Sequence, residues 1–218
     1  MLRSEIETAL SSLTGVETAT IGHFMTEGFL DPEISAIVPQ ARIFGTAFTC
    51  RFGGDDGTAL VHAVSEVEPG QIIVVDRMND RKHACWGAVM TVAAQERGAV
   101  GAVIDGYITD RAAIVEAGFP IWCRGFSPIT TKIGKGHGSI RLKIKCGNVV
   151  LKQDDVVLAD ENGVVVLNPE DVAAIAAKAH ELQGQEPKVI EQLRKGKSYA
   201  EINPPPELFD HHNDMPPK

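Results

Sequence analysis

The chain has 218 residues, with 21 Lys plus Arg against 29 Asp plus Glu, for a formal net charge of −8. At 44% hydrophobic and 23% charged residues it matches average globular usage, which excludes wholesale disorder and leaves room for one large domain or two small ones. The acidic balance, with no basic stripe, argues against a nucleic-acid binder working by phosphate neutralisation, and no apolar run approaches the ~20 residues that span a bilayer.

In chain order, Ile6, Leu10 and Leu13 fall at i, i+4 and i+7, so Leu2–Leu13 is expected to be an amphipathic helix stopped by Gly15. A second helical stretch is expected over Val16–Met25, and a loop over Pro32–Pro39. Ile43–Cys50 reads as a strand, followed by the turn residues Gly53 to Gly57. The pattern then alternates: helix Thr58–Val67, strand Gln71–Asp76, helix Ala84–Arg97, strand Ala99–Ile104 closed by Asp105-Gly106, short helix Asp110–Glu116, strand Pro120–Cys123. Continuous apolar strands separated by helices imply parallel βα units covered by helices. From Ile140 the character changes to a block of short strands, at Ile140–Ile144, Asn148–Leu151, Val156–Leu158 and Val164–Leu167. Asn168 and Pro169 then mark the start of a helix reaching about Leu182, with a second helix from about Pro187 to Lys195. The tail from about Asn203 is rich in proline and is expected to be non-helical. With no repeat and no clear linker, a single α/β domain over residues 1–218 is expected.

Four cysteines, Cys50, Cys85, Cys123 and Cys146, contain no C-x-x-C pair and read as reduced thiols rather than as a zinc knuckle or disulfide framework. The opening MLRSEIETAL lacks the apolar core of a signal peptide, so a cytoplasmic protein is expected.

Ligands of open α/β sheets bind at the carboxyl ends of parallel strands. Two such ends carry acids here, Val75-Asp76 and Ile104-Asp105-Gly106, the latter leading to Thr109-Asp110. Gly87 lies at the start of a helix, where bare backbone N–H groups and the macrodipole favour a carboxylate or phosphate; close helix-to-strand packing explains the glycine equally well. Asp110 reads either as a helix cap or as the single carboxylate ligand of a Mg²⁺ ion that keeps its waters. His83 precedes the Gly87 helix and could face the same pocket, whereas His62 and His180 read as helix residues. Arg111 and Arg124 are candidate anion partners. The Gly134-Lys135-Gly136-His137-Gly138 segment reads as a mobile surface loop and lacks the Lys-Ser/Thr pair of a P-loop. His211-His212 carry little weight.

The segments Trp86-Gly87-Ala88-Val89-Met90, Glu96-Arg97-Gly98, Val103-Ile104-Asp105-Gly106, Thr109-Asp110, Gly118-Phe119-Pro120 and Arg124-Gly125 resemble the RraA-like family. Asp155–Asp160, Gly163–Val166 and Pro169 continue the likeness, which covers roughly residues 15 to 182. The family includes 4-hydroxy-4-methyl-2-oxoglutarate aldolases, regulators of ribonuclease E activity and proteins once labelled demethylmenaquinone methyltransferases. The resemblance implies a layered α/β domain of the β/β/α swivelling type with a mixed sheet, assembled as a homotrimer or hexamer with its site between subunits. It further implies that Gly87, Ala88, Val89 and Met90 hold the carboxylate of a small 2-oxo acid through backbone amides. Asp110 is then the ligand of a divalent metal, Mg²⁺ or Mn²⁺. The arginine of the family's Arg-Asp pair is replaced by Thr109, which retains one hydrogen bond. The acids expected three residues past that Asp and just after the helix-start glycine fall on Ala113 and Ala88. His83 as a base, and Arg111 or Arg124 as a cation, are the candidates to compensate. Two functions follow: a metal-dependent lyase cleaving or decarboxylating a 2-oxo acid to pyruvate, or a non-catalytic regulator of the ribonuclease E type. No glycine-rich adenosylmethionine loop supports a methyltransferase.

Overall fold

Four apolar runs meet the condition for burial on both faces, and they form the parallel centre of the sheet. The computed structural model describes residues 3–206, so Leu2, His211-His212 and the tail from residue 207 lie outside the described residues. Helices α1 (Arg3–Ser12) and α2 (Thr18–Gly22) come first, followed by β1 (Ser35–Ala36), β2 (Ile43–Arg51), α3 (Thr58–Glu66), β3 (Gln71–Asp76), β4 (Ala84–Trp86) and α4 (Ala88–Glu96). Then come β5 (Gly101–Ile108), α5 (Arg111–Ala117), β6 (Ile121–Phe126), β7 (Ser139–Ile140), β8 (Ile144–Cys146), β9 (Val149–Leu151), β10 (Val156–Asp160) and β11 (Gly163–Leu167). Helices α6 (Val172–Arg194) and α7 (Tyr199–Ile202) end the described chain. The main sheet runs β1-β6-β5-β3-β2-β10-β11, with β6, β5, β3 and β2 parallel and β1, β10 and β11 antiparallel to their neighbours. This is the mixed α/β sheet expected.

Alternation of side chains divides the core in two. Phe48, Cys50, Ile73, Val75 and Ile104 face α3 and α4. Their neighbours Ile72, Val74, Val103 and Trp122 face the opposite side, against Ile144, Cys146 and Leu151 of the β8–β9 hairpin. A third cluster packs Leu13, Ile21, Val172 and Ala176 onto β10 and β11. The chain divides after Ala179. The unit from His180 holds the remainder of α6, and α7, whose Ser198–Glu201 capping box is closed. Among the described residues no helix is long and apolar enough to cross a membrane.

Several elements differ from the expected ones. Ala84–Trp86 is strand, not the first turn of a helix, because Ala84 and Trp86 pair with Tyr107 and Ile108 while Ala84 also bonds Ile129 and Thr131 on its other side. Strand β5 runs past Asp105-Gly106 to Ile108, because the chain continues to pair with β6 beyond a register shift. Gly106 is needed for space: a Cβ there would meet Cγ of the buried Arg77 at 2.5 Å. Ile140–Ile144 is broken where Arg141 adopts φ 59°, so its two ends join different partners. Helix α6 begins at Val172 and continues through Pro187 as one helix. A mid-helix proline removes one backbone bond, and the Glu, Gln and Lys residues around it are good helix formers. The loop at 134–138 is tied down: Gly136 and His137 donate N–H bonds to Asp56, and Gly134 donates to the Thr58 hydroxyl. All four cysteines are buried, and burial pushes the thiols up, Cys85 to about 12 and Cys123 to about 11, so they stay protonated as packing residues.

Buried Asp160 joins α2 to the sheet by accepting the Thr18 N–H at 2.8 Å, the Thr18 hydroxyl at 2.5 Å and the Asn162 N–H at 2.9 Å. Asp160→Ala leaves two buried donors of Thr18 unpaired, at a cost of about 2–4 kcal/mol. Urea unfolding monitored by circular dichroism is expected to show a correspondingly lower midpoint with an unchanged slope.

Candidate functional site

Three chain segments converge where β4 ends, α4 starts and β5 passes into α5. The buried Trp86 indole stacks on Phe119 with centroids 6.1 Å apart, and its Nε1–H donates to the Thr91 hydroxyl at 2.9 Å. Thr91 returns both its hydroxyl and its N–H to the Gly87 carbonyl, at 3.1 and 3.0 Å, which clamps the first turn of α4. The Thr109 N–H donates to the Trp86 carbonyl at 2.8 Å and so fixes the end of β5 beside that turn.

Asp110 has left-handed backbone, φ 54° and ψ 38°, an unfavourable conformation for a residue with a Cβ. Its side chain makes no cap bond to its own helix α5. Instead Oδ2 accepts the Ala88 N–H of α4 at 2.9 Å, and Oδ1 accepts the Thr109 hydroxyl at 3.3 Å. Asp110 thus caps a helix, but the neighbouring one. Gly87, at φ −154°, is ordinary extended backbone, and its role is space: a Cβ would meet Asp110 Oδ2 at 2.5 Å and Thr109 Cγ2 at 3.0 Å. The N–H groups of Val89 and Met90 lie in the same first turn, where no intrahelical acceptor exists, and Val89 is 78% exposed. The arrangement can hold an anion on α4 next to a carboxylate that could hold a cation. Among the described residues no three His, Cys, Asp or Glu gather as a metal cluster.

The structure brings together Gly87, Ala88, Thr109 and Asp110, with Val89 and Met90 next in the turn. It places His83 and Arg124 elsewhere, and Arg111, next to Asp110 in the chain, lies over Phe126. His83 sits before β4, and the three residues of that strand, at ~3.3 Å each, separate it from Gly87. Its Nδ1 lies 2.8 Å from Asp80, which also takes the Arg77 guanidinium at 3.0 Å. Burial alone would raise the Asp80 carboxyl; hydrogen bonds from His83 and Lys82 and the Arg77 charge bring it down to about 2. The Arg111 guanidinium lies over the Phe126 ring, 5.5 Å from its centroid. Arg124 is buried and already paired with Asp105, Asp31 at 3.1 Å and Glu33 at 2.7 Å. Asp105 is thereby a structural partner. The Arg77–Asp80–His83 chain could not be found from the sequence, since Arg77 looks like any surface arginine until Gly106 is seen to admit it.

The RraA-like family model (Aldolase/RraA) matches residues 18–166. The chain belongs to the RraA-like family. A relative from Halalkalibacterium halodurans, named "Putative 4-hydroxy-4-methyl-2-oxoglutarate aldolase", is 32% identical over 157 residues, covering 72% of this chain and 74% of the relative. Among solved structures, an uncharacterized protein from Pseudomonas syringae pv. tomato superposes with TM-score 0.77 at 23% identity, over 88% of this chain and 91% of that one. Streptomyces coelicolor RraAS2, described as an unusual member of the RNase ES inhibitor RraA protein family, superposes with TM-score 0.73 at 25% identity, over 82% and 93%.

Gly87→Ala is expected to push the Asp110 carboxylate off the Ala88 N–H and to cost about 1 kcal/mol, the usual worth of a lost helix cap. Hydrogen exchange resolved by NMR should show the Ala88 amide accelerated beyond the common acceleration that the lost stability gives the buried amides of β3.

Proposed function

We propose that this chain is a divalent-metal-dependent lyase of the cytoplasm that cleaves or decarboxylates a 2-oxo acid to release pyruvate. One observation carries the reading: a carboxylate, Asp110, is held 2.9 Å from a helix N-terminal amide, with Gly87 clearing the space between them. An α-oxo carboxylate needs both halves of such a site, N–H groups for its carboxylate and a cation beside its oxo oxygen. The donor set fits the ion. Among the described residues Oδ1 is engaged only by the Thr109 hydroxyl at 3.3 Å, and a single carboxylate suits Mg²⁺, with Mn²⁺ as substitute, because such ions keep several waters. When bound, the ion supplies a Lewis acid that stabilises negative charge on the 2-oxo oxygen. The chain's own residues bind and orient: Val89 and Met90 present N–H groups to the carboxylate, Ala88 joins them when Asp110 turns from its N–H to the ion, and the Thr109 hydroxyl donates one hydrogen bond. The relative named as an aldolase supports this reading.

The test is pyruvate release from 4-hydroxy-4-methyl-2-oxoglutarate and from oxaloacetate with Mg²⁺ present. Turnover by the wild type should fall by about 10²-fold or more in Asp110→Ala. Turnover at background, or unchanged in the variant, overturns the proposal.

A second reading, a non-catalytic regulator, is favoured by Thr109, since one hydroxyl cannot replace a bidentate guanidinium. Calorimetry separates the two. Mg²⁺ binding to the wild type and not to Asp110→Asn supports the enzyme, because a regulator has no need of the ion.

We also infer assembly as a homotrimer or hexamer. Val89 and Val92 on α4, Val115 on α5 and Phe126 at the end of β6 are exposed apolar side chains beside the site. Light scattering should give three or six times the chain mass; a monomer mass overturns the inference.

A further inference from the structure

On the face of the sheet away from α4, the last residues of β2 and β3 and the positions aligned with them in β5 and β6 form a row of charge. Register aligns Arg51 of β2 with Asp76 of β3, and Asp76 with Asp105 of β5; Arg124 of β6 pairs with Asp105. The preceding residues Cys50, Val75, Ile104 and Cys123 all belong to the helix-side core, so the row faces the hairpin side. Above it lies a cavity of about 370 Å³, bounded by the turn after β3 and by Lys145 and Asn148 of the hairpin. That is within the size range of small-molecule sites, at the place where open parallel sheets bind ligands.

The acceptors of this cavity are occupied. Asp105 takes Arg124 and the Gly147 N–H at 2.7 Å, and Asp31 takes Arg124 at 3.1 Å and the Glu33 N–H at 3.1 Å. Asp76 takes the Met78 N–H at 2.8 Å, the Lys145 N–H at 3.4 Å and Arg51 Nε at 3.5 Å. The donors are not. Among the described residues Arg81 has one ion-pair contact, 4.0 Å from Glu33, and Arg51 pairs with a carboxylate through Nε alone. The Lys145 ammonium and the side-chain amides of Asn79 and Asn148 have no hydrogen bond among the described residues. Backbone strain surrounds the same space: Met78 and Asn79 adopt φ 50° and 61° in a turn closed by the Asp80 N–H on the Arg77 carbonyl at 2.9 Å, and Asn148 adopts φ 67°. A left-handed methionine is an unfavourable way to make a turn, and strain of this kind collects at binding sites.

We propose that this cavity is a second binding site, separate from Asp110, for a small oxyanion of two or more negative charges. Arg51, Arg81 and Lys145 are its charge partners, and Asn79 and Asn148 its neutral donors. The cavity is lined by Asp31, Asp76 and Asp105, each already paired, and by the four cations Arg51, Arg81, Arg124 and Lys145, so the charge left over favours an anion.

The experiment is isothermal titration of the full chain, at constant ionic strength, with inorganic phosphate and separately with citrate. Wild type, the Arg81→Ala/Lys145→Ala double variant and Asp110→Asn are compared. Both substituted cations are exposed, so the fold should tolerate their loss. Saturable binding of one anion per chain is expected, weakened about tenfold or more in the double variant, as the loss of two charge-assisted contacts implies. Asp110→Asn should bind as the wild type does. Saturation by phosphate assigns a phosphate-bearing ligand, and saturation by citrate alone assigns a polycarboxylate. No saturable binding of either, equal binding by the double variant, or loss of binding in Asp110→Asn overturns the proposal.

Discussion

The bond from the Ala88 N–H to Asp110 Oδ2 is the constraint on which the site depends, because it joins two elements that the chain makes separately. Helix α4 needs an acceptor at its N-terminus, and Gly87, with no side chain, cannot provide one. Asp110 provides it from across a strand end, at the cost of a left-handed backbone. The two oddities explain each other: the glycine makes the approach possible, and the approach gives the aspartate a reason to tolerate its strain. A pair so arranged is poised rather than closed. The carboxylate that satisfies the helix in the free protein occupies the amide that an anionic ligand would take, so binding of an anion and repositioning of Asp110 are coupled by geometry.

Sheet alternation then decides how chemistry is distributed over the molecule. Arg51 and Asp76 at the ends of β2 and β3, and the register-aligned Asp105 and Arg124 within β5 and β6, face the hairpin side, while α4 and Asp110 sit beyond the other face. The strand-end acids Asp76 and Asp105 therefore share a cavity that does not include Asp110. Asp105 faces Arg124 and Gly147, and Asp76 faces Met78 and Lys145; neither reaches the Gly87 turn. One fold thus carries a helix-terminus site on one face and a donor-lined cavity on the other.

The parallel centre of this fold was legible in the sequence because Gln71–Asp76 and Ile121–Cys123 are continuous apolar runs that only a doubly covered sheet can bury. The Gly87 turn and Asp110 were legible as a pair through the family resemblance, and singly through residue chemistry. What could not be read was set by tertiary pairing. Ala84-Cys85-Trp86 is too short to show a period, and it becomes strand only because β5 runs on past Gly106 to meet it. Arg141 breaks an alternating run by a backbone angle that no side-chain pattern encodes. Arg77 is the extreme case, a fully buried arginine over the Phe52 ring at 4.1 Å, recognisable only once its three-dimensional surroundings are known.

The fate of the arginines bears on Thr109. A missing guanidinium can be replaced only by a cation free to turn toward the site, and of the nearby arginines only the exposed Arg111 keeps that freedom. Arg124 is 5% exposed among three carboxylates, Arg77 is buried against Asp80, and Arg111 rests on Phe126. Moving a buried arginine would leave carboxylates unpaired, which costs more than one new contact returns. In the proposed site, an anion at Gly87 would meet peptide dipoles, the Thr109 hydroxyl, the exposed Arg111 and a cation on Asp110. In a protein of net charge −8 such a site attracts no anion from a distance. Its selectivity must come from short-range fit, in which a ligand has to satisfy the first turn of α4 and the Asp110 carboxylate together.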